Sequence, residues 1–155
     1  MAKETRKYLK IYFDGGSRGN PGPSAVGAVL YDDKDKKIEE LSEHIGQYTN
    51  NMAEYMALSK ALDMAAKYKC KKIILHTDSK LLNNQVKKLW KIKDKKILEI
   101  YLEVSQKLGK YGLVDLRLIP REQNTEADRL VSKALNKKEL DYDGESKISF
   151  GKVNE

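Results

Sequence analysis

The sequence has little of what builds several common architectures. It contains one cysteine, Cys70, in 155 residues, so no internal disulfide can staple the chain. Its two histidines are His44 and His76, and no spacing among these and Cys70 has the pattern of a zinc site. No apolar run approaches the roughly 18 residues of a membrane span. The N-terminal stretch MAKETRKYLKIYF is too polar for a secretory signal and leads straight into a strand-like segment. No low-complexity linker or internal repeat interrupts residues 1–140. The expectation is a cytoplasmic monomer with one domain, 1–140, an extension, 141–155, and no membrane partner.

What is present fits one globular core. Length alone suggests a single domain, and a hydrophobic share of 40% is enough to fill it. Thirty Lys and Arg against 23 Asp and Glu leave a formal charge of +7. That balance suits an anionic partner, although lysines also serve only to keep a surface solvated. The lysines gather at 67–72, 87–96 and 133–138.

The periodicity changes along the chain. Residues 8–14 read as a strand ending in Asp14, and the following GGSRGNPGPSA must turn or bulge. Strands over 25–31 and 38–47 flank the charged turn 32–37, giving an antiparallel meander. Residues 52–68 are helical, with Tyr55, Leu58, Leu62 and Ala65 on one face and Asn50 or Asn51 as cap. A strand over 73–77 ends before Asp78. Helices over 79–89 and 94–109 follow, then a strand over 113–119 and a last helix over 125–137, capped by Asn124 or Thr125. Strands between helices imply parallel crossovers. The fold class is therefore α/β: a five-stranded mixed sheet, strands 1–3 antiparallel, flanked by helices. The extension is expected as an added edge strand or a mobile tail.

Four acids stand in related places. Asp14 and Asp78 close strands, while Glu54 and Asp128 lie in the first turns of helices. Taken singly, each is a solvated group or a cap. Together, two strand ends and two helix starts can converge on one edge of the sheet. Clustered carboxylates repel and raise one another's pKa, so something must neutralise them, and a divalent cation is the natural candidate. Oxygen-only donors suit magnesium. Such a site suits metal-assisted phosphodiester hydrolysis, in which two ions clamp the attacking and leaving oxygens.

At this point a resemblance enters. Asp14-Gly15-Gly16-Ser17-Arg18-Gly19-Asn20-Pro21-Gly22-Pro23 resembles the opening signature of the type 1 ribonuclease H family. Thr49-Asn50-Asn51-Met52-Ala53-Glu54-Tyr55, Thr77-Asp78-Ser79 and Ala127-Asp128 resemble the next three, in order, over residues 8–137. The resemblance implies the ribonuclease H fold and endonucleolytic cutting of the RNA strand of RNA/DNA hybrids to 5′-phosphate and 3′-hydroxyl ends. It implies two Mg2+ ions, with Mn2+ as substitute, on Asp14, Glu54, Asp78 and Asp128. Substrate contacts are expected from Gly15, Gly16, Ser17, Arg18, Asn20, Thr49, Asn50, Asn51, Ser79, Arg121 and Asn124. Amides and hydroxyls of this kind can read the 2′-hydroxyls that DNA lacks.

Two departures stand out. Many members carry a histidine in the loop before the last acid, whereas this chain has Pro120-Arg121-Glu122-Gln123-Asn124. Arginine cannot serve as a base at neutral pH, but it can hold a phosphate. This keeps double-stranded RNA open as a further substrate and leaves a non-catalytic binding module as the contrasting reading. The full basic insertion of many bacterial members is also missing. Lys87, Lys88 and Lys91 remain as expected DNA-strand contacts. Trp90 either joins them or anchors the junction of two helices.

Overall fold

The structure, a computed structural model, describes residues 6–150, with side chains as far as residue 138. Strands β1 (Leu9–Ser17), β2 (Gly22–Tyr31) and β3 (Lys37–Tyr48) come first, then helix α1 (Asn50–Ala66) and strand β4 (Lys72–Thr77). Helices α2 (Lys80–Val86) and α3 (Lys95–Leu108), strand β5 (Leu113–Leu118) and helix α4 (Thr125–Phe150) complete the chain. The sheet order is β3-β2-β1-β4-β5. β1, β2 and β3 are antiparallel, while β4 runs parallel to both β1 and β5. This is the architecture expected from the sequence.

Alternation of residues assigns the faces of the sheet. Leu9, Ile11 and Phe13 of β1 and Ile73 and Leu75 of β4 are buried in one core with Tyr55, Leu58, Leu62 and Ala65 of α1. Tyr55 also donates its hydroxyl to Gln85 Oε1 at 2.9 Å, tying α1 to α2. A smaller cluster of Ala25, Val131, Ala134 and Leu135 seats α4 on the sheet. The start of α4 is fastened further: Glu126 accepts from the Tyr31 hydroxyl and pairs with Lys37 at 2.5 Å.

Several boundaries differ from the sequence reading. β1 and β2 extend into the glycine-rich stretch, leaving only residues 18–21 as the turn. The cap of α1 is Thr49, whose Oγ1 accepts from Met52 N at 3.2 Å, and not Asn50 or Asn51. Glu54 consequently lies beyond the first turn of α1. Residues 141–150, expected as a strand or mobile tail, continue α4. Strong helix formers fill 137–140, and one glycine, Gly144, costs only about 1 kcal/mol relative to alanine. Residues 151–155 lie outside the described residues.

Candidate active site

Pairing of strands sets the first two acids side by side. Tyr12 of β1 is in register with His76 of β4. Two residues further along both parallel chains stand Asp14 and Asp78. Asp14 is also paired with Gly27 of β2. The two glycines beside Asp14 let helices close on it from both sides. A Cβ on Gly15 would stand 2.1 Å from the Ala53 carbonyl oxygen, and one on Gly27 2.4 Å from that of Ala127. Ala53 precedes Glu54, and Ala127 precedes Asp128. Bare backbone next to Asp14 thus brings the third and fourth acids in.

The acids meet at the C-terminal edge of β1 and β4. One carboxylate oxygen each from Asp14, Glu54 and Asp78 lie within 4.8 Å of one another. Glu54 is buried and accepts from Gly15 N at 3.1 Å. The charge of Asp128, in the first turn of α4, also acts on Asp14. Arg121 Nη2 stands 3.7 Å from Asp128 Oδ1. Burial, then the charges of Asp78 and Asp128, push Asp14 up to about 8, with Arg121 partly opposing. Burial, then Asp14 and Asp78, hold Glu54 well above the usual carboxylate range.

Such a cluster keeps protons or takes up a cation. Its donors are all hard oxygens, which fit magnesium or manganese. His76 takes no part: its ring stacks on Tyr12 at 4.1 Å and its Nδ1 faces the Ile11 carbonyl at 3.0 Å. Cys70 is buried near the N-terminal end of β4.

The remaining expected site residues fall into three groups. Gly15, Gly16 and Ser17 belong to β1, where the Ser17 hydroxyl turns toward the Gly19 and Tyr48 carbonyls. Asn20 Oδ1 accepts from Asn50 N at 2.9 Å, fixing the turn to the start of α1 beside Thr49. Asn51 Oδ1 is buried there without a hydrogen-bond partner, and Arg18 bonds Asn136 Oδ1 at 2.6 Å. Ser79 caps α2, accepting from Leu82 N at 3.1 Å.

Asn124 corrects the expectation of a substrate contact, because its side chain is buried against β1 and Asp78. A buried helix-junction anchor is likewise not what Trp90 is. It is 46% exposed beside exposed Leu89, with Lys80 Nζ 5.8 Å from its ring centre. The short α2 ends at Val86, before it could carry Trp90 into the core. Lys87, Lys88 and Lys91 are exposed around it. The reading of the sequence missed Gly27. Its signal was a glycine inside an apolar strand, which marks a close backbone approach.

Comparison with known proteins agrees with this geometry. A family described as reverse transcriptase-like matches residues 12–134. A ribonuclease H1 from Halobacterium salinarum, solved by crystallography, is 37% identical, covers 84% of this chain and 98% of its own, and superposes with a TM-score of 0.82. The chain belongs to the ribonuclease HI family. The N-terminal ribonuclease H domain of a Mycobacterium tuberculosis protein is 37% identical, with a TM-score of 0.79 over 82% of this chain and 98% of the domain. That whole mycobacterial protein, named as bifunctional, is 38% identical over 127 residues, and the chain spans only 35% of its length. A ribonuclease H1 isolated from compost, solved in complex with an RNA/DNA hybrid, is 36% identical, with a TM-score of 0.78 over 83% of this chain and 97% of that one. Among the described residues no helix is long and apolar enough to cross a membrane.

Proposed function

We propose that this chain cuts the RNA strand of RNA/DNA hybrids internally, leaving 5′-phosphate and 3′-hydroxyl ends. The observation that carries the reading is the acid cluster of Asp14, Glu54 and Asp78, with the charge of Asp128 acting on Asp14. It is supported by the 36%-identical relative solved with a hybrid. Asp14, Glu54, Asp78 and Asp128 would hold two Mg2+ ions, with Mn2+ as substitute. When bound, such ions activate water and stabilise the departing 3′ oxygen.

The rest of the chemistry belongs to the chain. Gly15 N fixes the Glu54 carboxylate. Arg121, exposed beside Asp128, is placed to hold a substrate phosphate near the reacting centre. Exposed Asn50 and the free amide NH2 of Asn20 are suited to 2′-hydroxyls. Lys87, Lys88, Lys91 and Trp90 offer charge and a stacking face to the DNA strand. Phosphate contacts of this kind carry no base identity, so cutting is expected with little sequence preference. The reading includes a cytoplasmic monomer, which cell fractionation and sedimentation check.

The test is a panel of end-labelled duplexes of one sequence: RNA/DNA, RNA/RNA, DNA/DNA, and DNA with one ribonucleotide. Internal cuts confined to the RNA of the hybrid, present with Mg2+ or Mn2+ and absent with chelator, are the expected result. Equal cutting of RNA/RNA would replace the proposal with a broader ribonuclease. Hybrid binding with no cutting in either metal would leave only a binding module.

A further inference from the structure

The loop before the last helix places one neutral side chain among the acids. Asn124 is 1% exposed. Its Nδ2 donates to Phe13 O at 2.9 Å and to Asp78 Oδ2 at 2.7 Å. Its own carbonyl oxygen accepts from Asp128 N at 3.1 Å. Phe13 precedes Asp14 in β1. One residue therefore touches the segments carrying Asp14, Asp78 and Asp128, which come from β1, the end of β4 and the start of α4.

Two features fix its role. Both partners of the side chain are acceptors only, so the amide must turn its NH2 toward them and its oxygen away. An asparagine that caps a helix uses that oxygen to accept from the first turn, yet Asn124 Oδ1 is buried with no partner. The side chain thus gives up the capping bond, and leaves a buried acceptor unsatisfied, while it serves Phe13 and Asp78. We infer that Asn124 is a positioning residue that holds the three acid-bearing segments together and orients the Asp78 carboxylate by occupying its Oδ2. The inference rests on the reading of the acid cluster as a cation site.

Two measurements test it. In wild-type protein labelled with 15N, the Asn124 side-chain amide should exchange its protons far more slowly than that of exposed Asn50, and its resonance should move as Mg2+ is added. In Asn124→Ala, Mn2+ affinity by calorimetry should fall about 10- to 100-fold. Hybrid affinity in chelator should stay within about twofold, because the group is buried from substrate. Alanine removes the donor and cannot restore the bond. Exchange as fast as that of Asn50 would overturn the inference, and this readout does not depend on any variant folding. So would unchanged Mn2+ affinity in Asn124→Ala, or a loss confined to hybrid binding. Wild-type protein that binds Mn2+ and shows the slow, responsive amide but cuts no hybrid would sink the nuclease reading alone. Wild-type protein that cuts hybrid while Asn124→Ala binds Mn2+ normally would sink this inference alone.

Discussion

Gly27 faces Ala127 across the sheet–helix contact so closely that a Cβ would stand 2.4 Å from the Ala127 carbonyl oxygen and 2.9 Å from the Leu130 Cβ. Gly15 makes the matching approach to Ala53. Each of these helix residues precedes an acid of the site. The shortest of these distances are to backbone, which cannot rotate aside, so Gly27→Ala and Gly15→Ala must shift a helix. Overpacking of this kind costs about 1–3 kcal/mol or more. Urea denaturation should show a loss of at least that size for either variant. A neutral result would mean that α1 and α4 are not seated as described.

The metal-free protein should lose stability as pH rises. Asp14 is pushed up to about 8 and Glu54 lies well above its ordinary range, whereas both return to about 4 in the unfolded chain. A raised carboxyl gives its full contribution below the unfolded pKa and loses it as pH climbs through the folded one. Glu39 and Glu126 are held low by Lys67 and Lys37 and titrate in the opposite sense at more acid pH. Burial lowers His76, which also acts in the opposite sense up to about pH 6.5, so the fall in stability above pH 7 is the part that belongs to the buried pair. Asp14→Asn should raise the chelator-treated Tm at pH 8 and change it little at pH 4, with about 2–4 °C for each kcal/mol recovered. Mg2+ should raise the wild-type Tm more at pH 8 than at pH 5. A larger effect of Asp14→Asn at pH 4 than at pH 8 would contradict the assignment.

Much of this arrangement can be read before any coordinates. Strand and helix periods place Asp14 and Asp78 at strand ends, and the parallel crossover puts those ends together. What escaped were features set by tertiary contact. Thr49, Asn50 and Asn51 are all competent caps, and only the backbone path selects Thr49. Asn124 looks like a polar loop residue until Phe13 O and Asp78 are seen around it. Trp90 invites burial by its size, yet the end of α2 leaves it outside. Residues 141–150 carry mixed signals, and the established α4 simply extends through them.

Trp90 and its lysines should affect binding without affecting folding. Trp90→Ala should leave the Tm nearly unchanged, since the ring is 46% exposed, while weakening hybrid binding by about 1–3 kcal/mol if a base or sugar stacks there. Replacing Lys87, Lys88 and Lys91 with alanine should reduce the slope of log K against log salt by about 2–3. Fluorescence anisotropy across a salt series measures both. An unchanged slope would make this stretch a solvated face and nothing more.

Arg121 supplies a fixed positive charge beside Asp128, 3.7 Å away. Arg121→Ala should lower kcat about 10- to 100-fold with less change in KM, as expected when a charge-stabilising group is lost. Arg121→His should restore part of the rate at low pH only, because imidazole is cationic below about pH 6.5. Steady-state cleavage between pH 5.5 and 8.5 reads both. A rate in Arg121→Ala equal to wild type would remove Arg121 from the site.

The most direct test sets wild-type protein beside Asp14→Asn, Glu54→Gln, Asp78→Asn and Asp128→Asn on one RNA/DNA hybrid, across a titration of Mg2+. Each variant keeps the size of the side chain and removes one negative charge. The account predicts metal-dependent internal cutting of the RNA by the wild type, lost or sharply reduced in all four variants while their far-ultraviolet spectra stay native. Cutting that survives in Asp14→Asn and Asp78→Asn, or that needs no divalent ion, would contradict it.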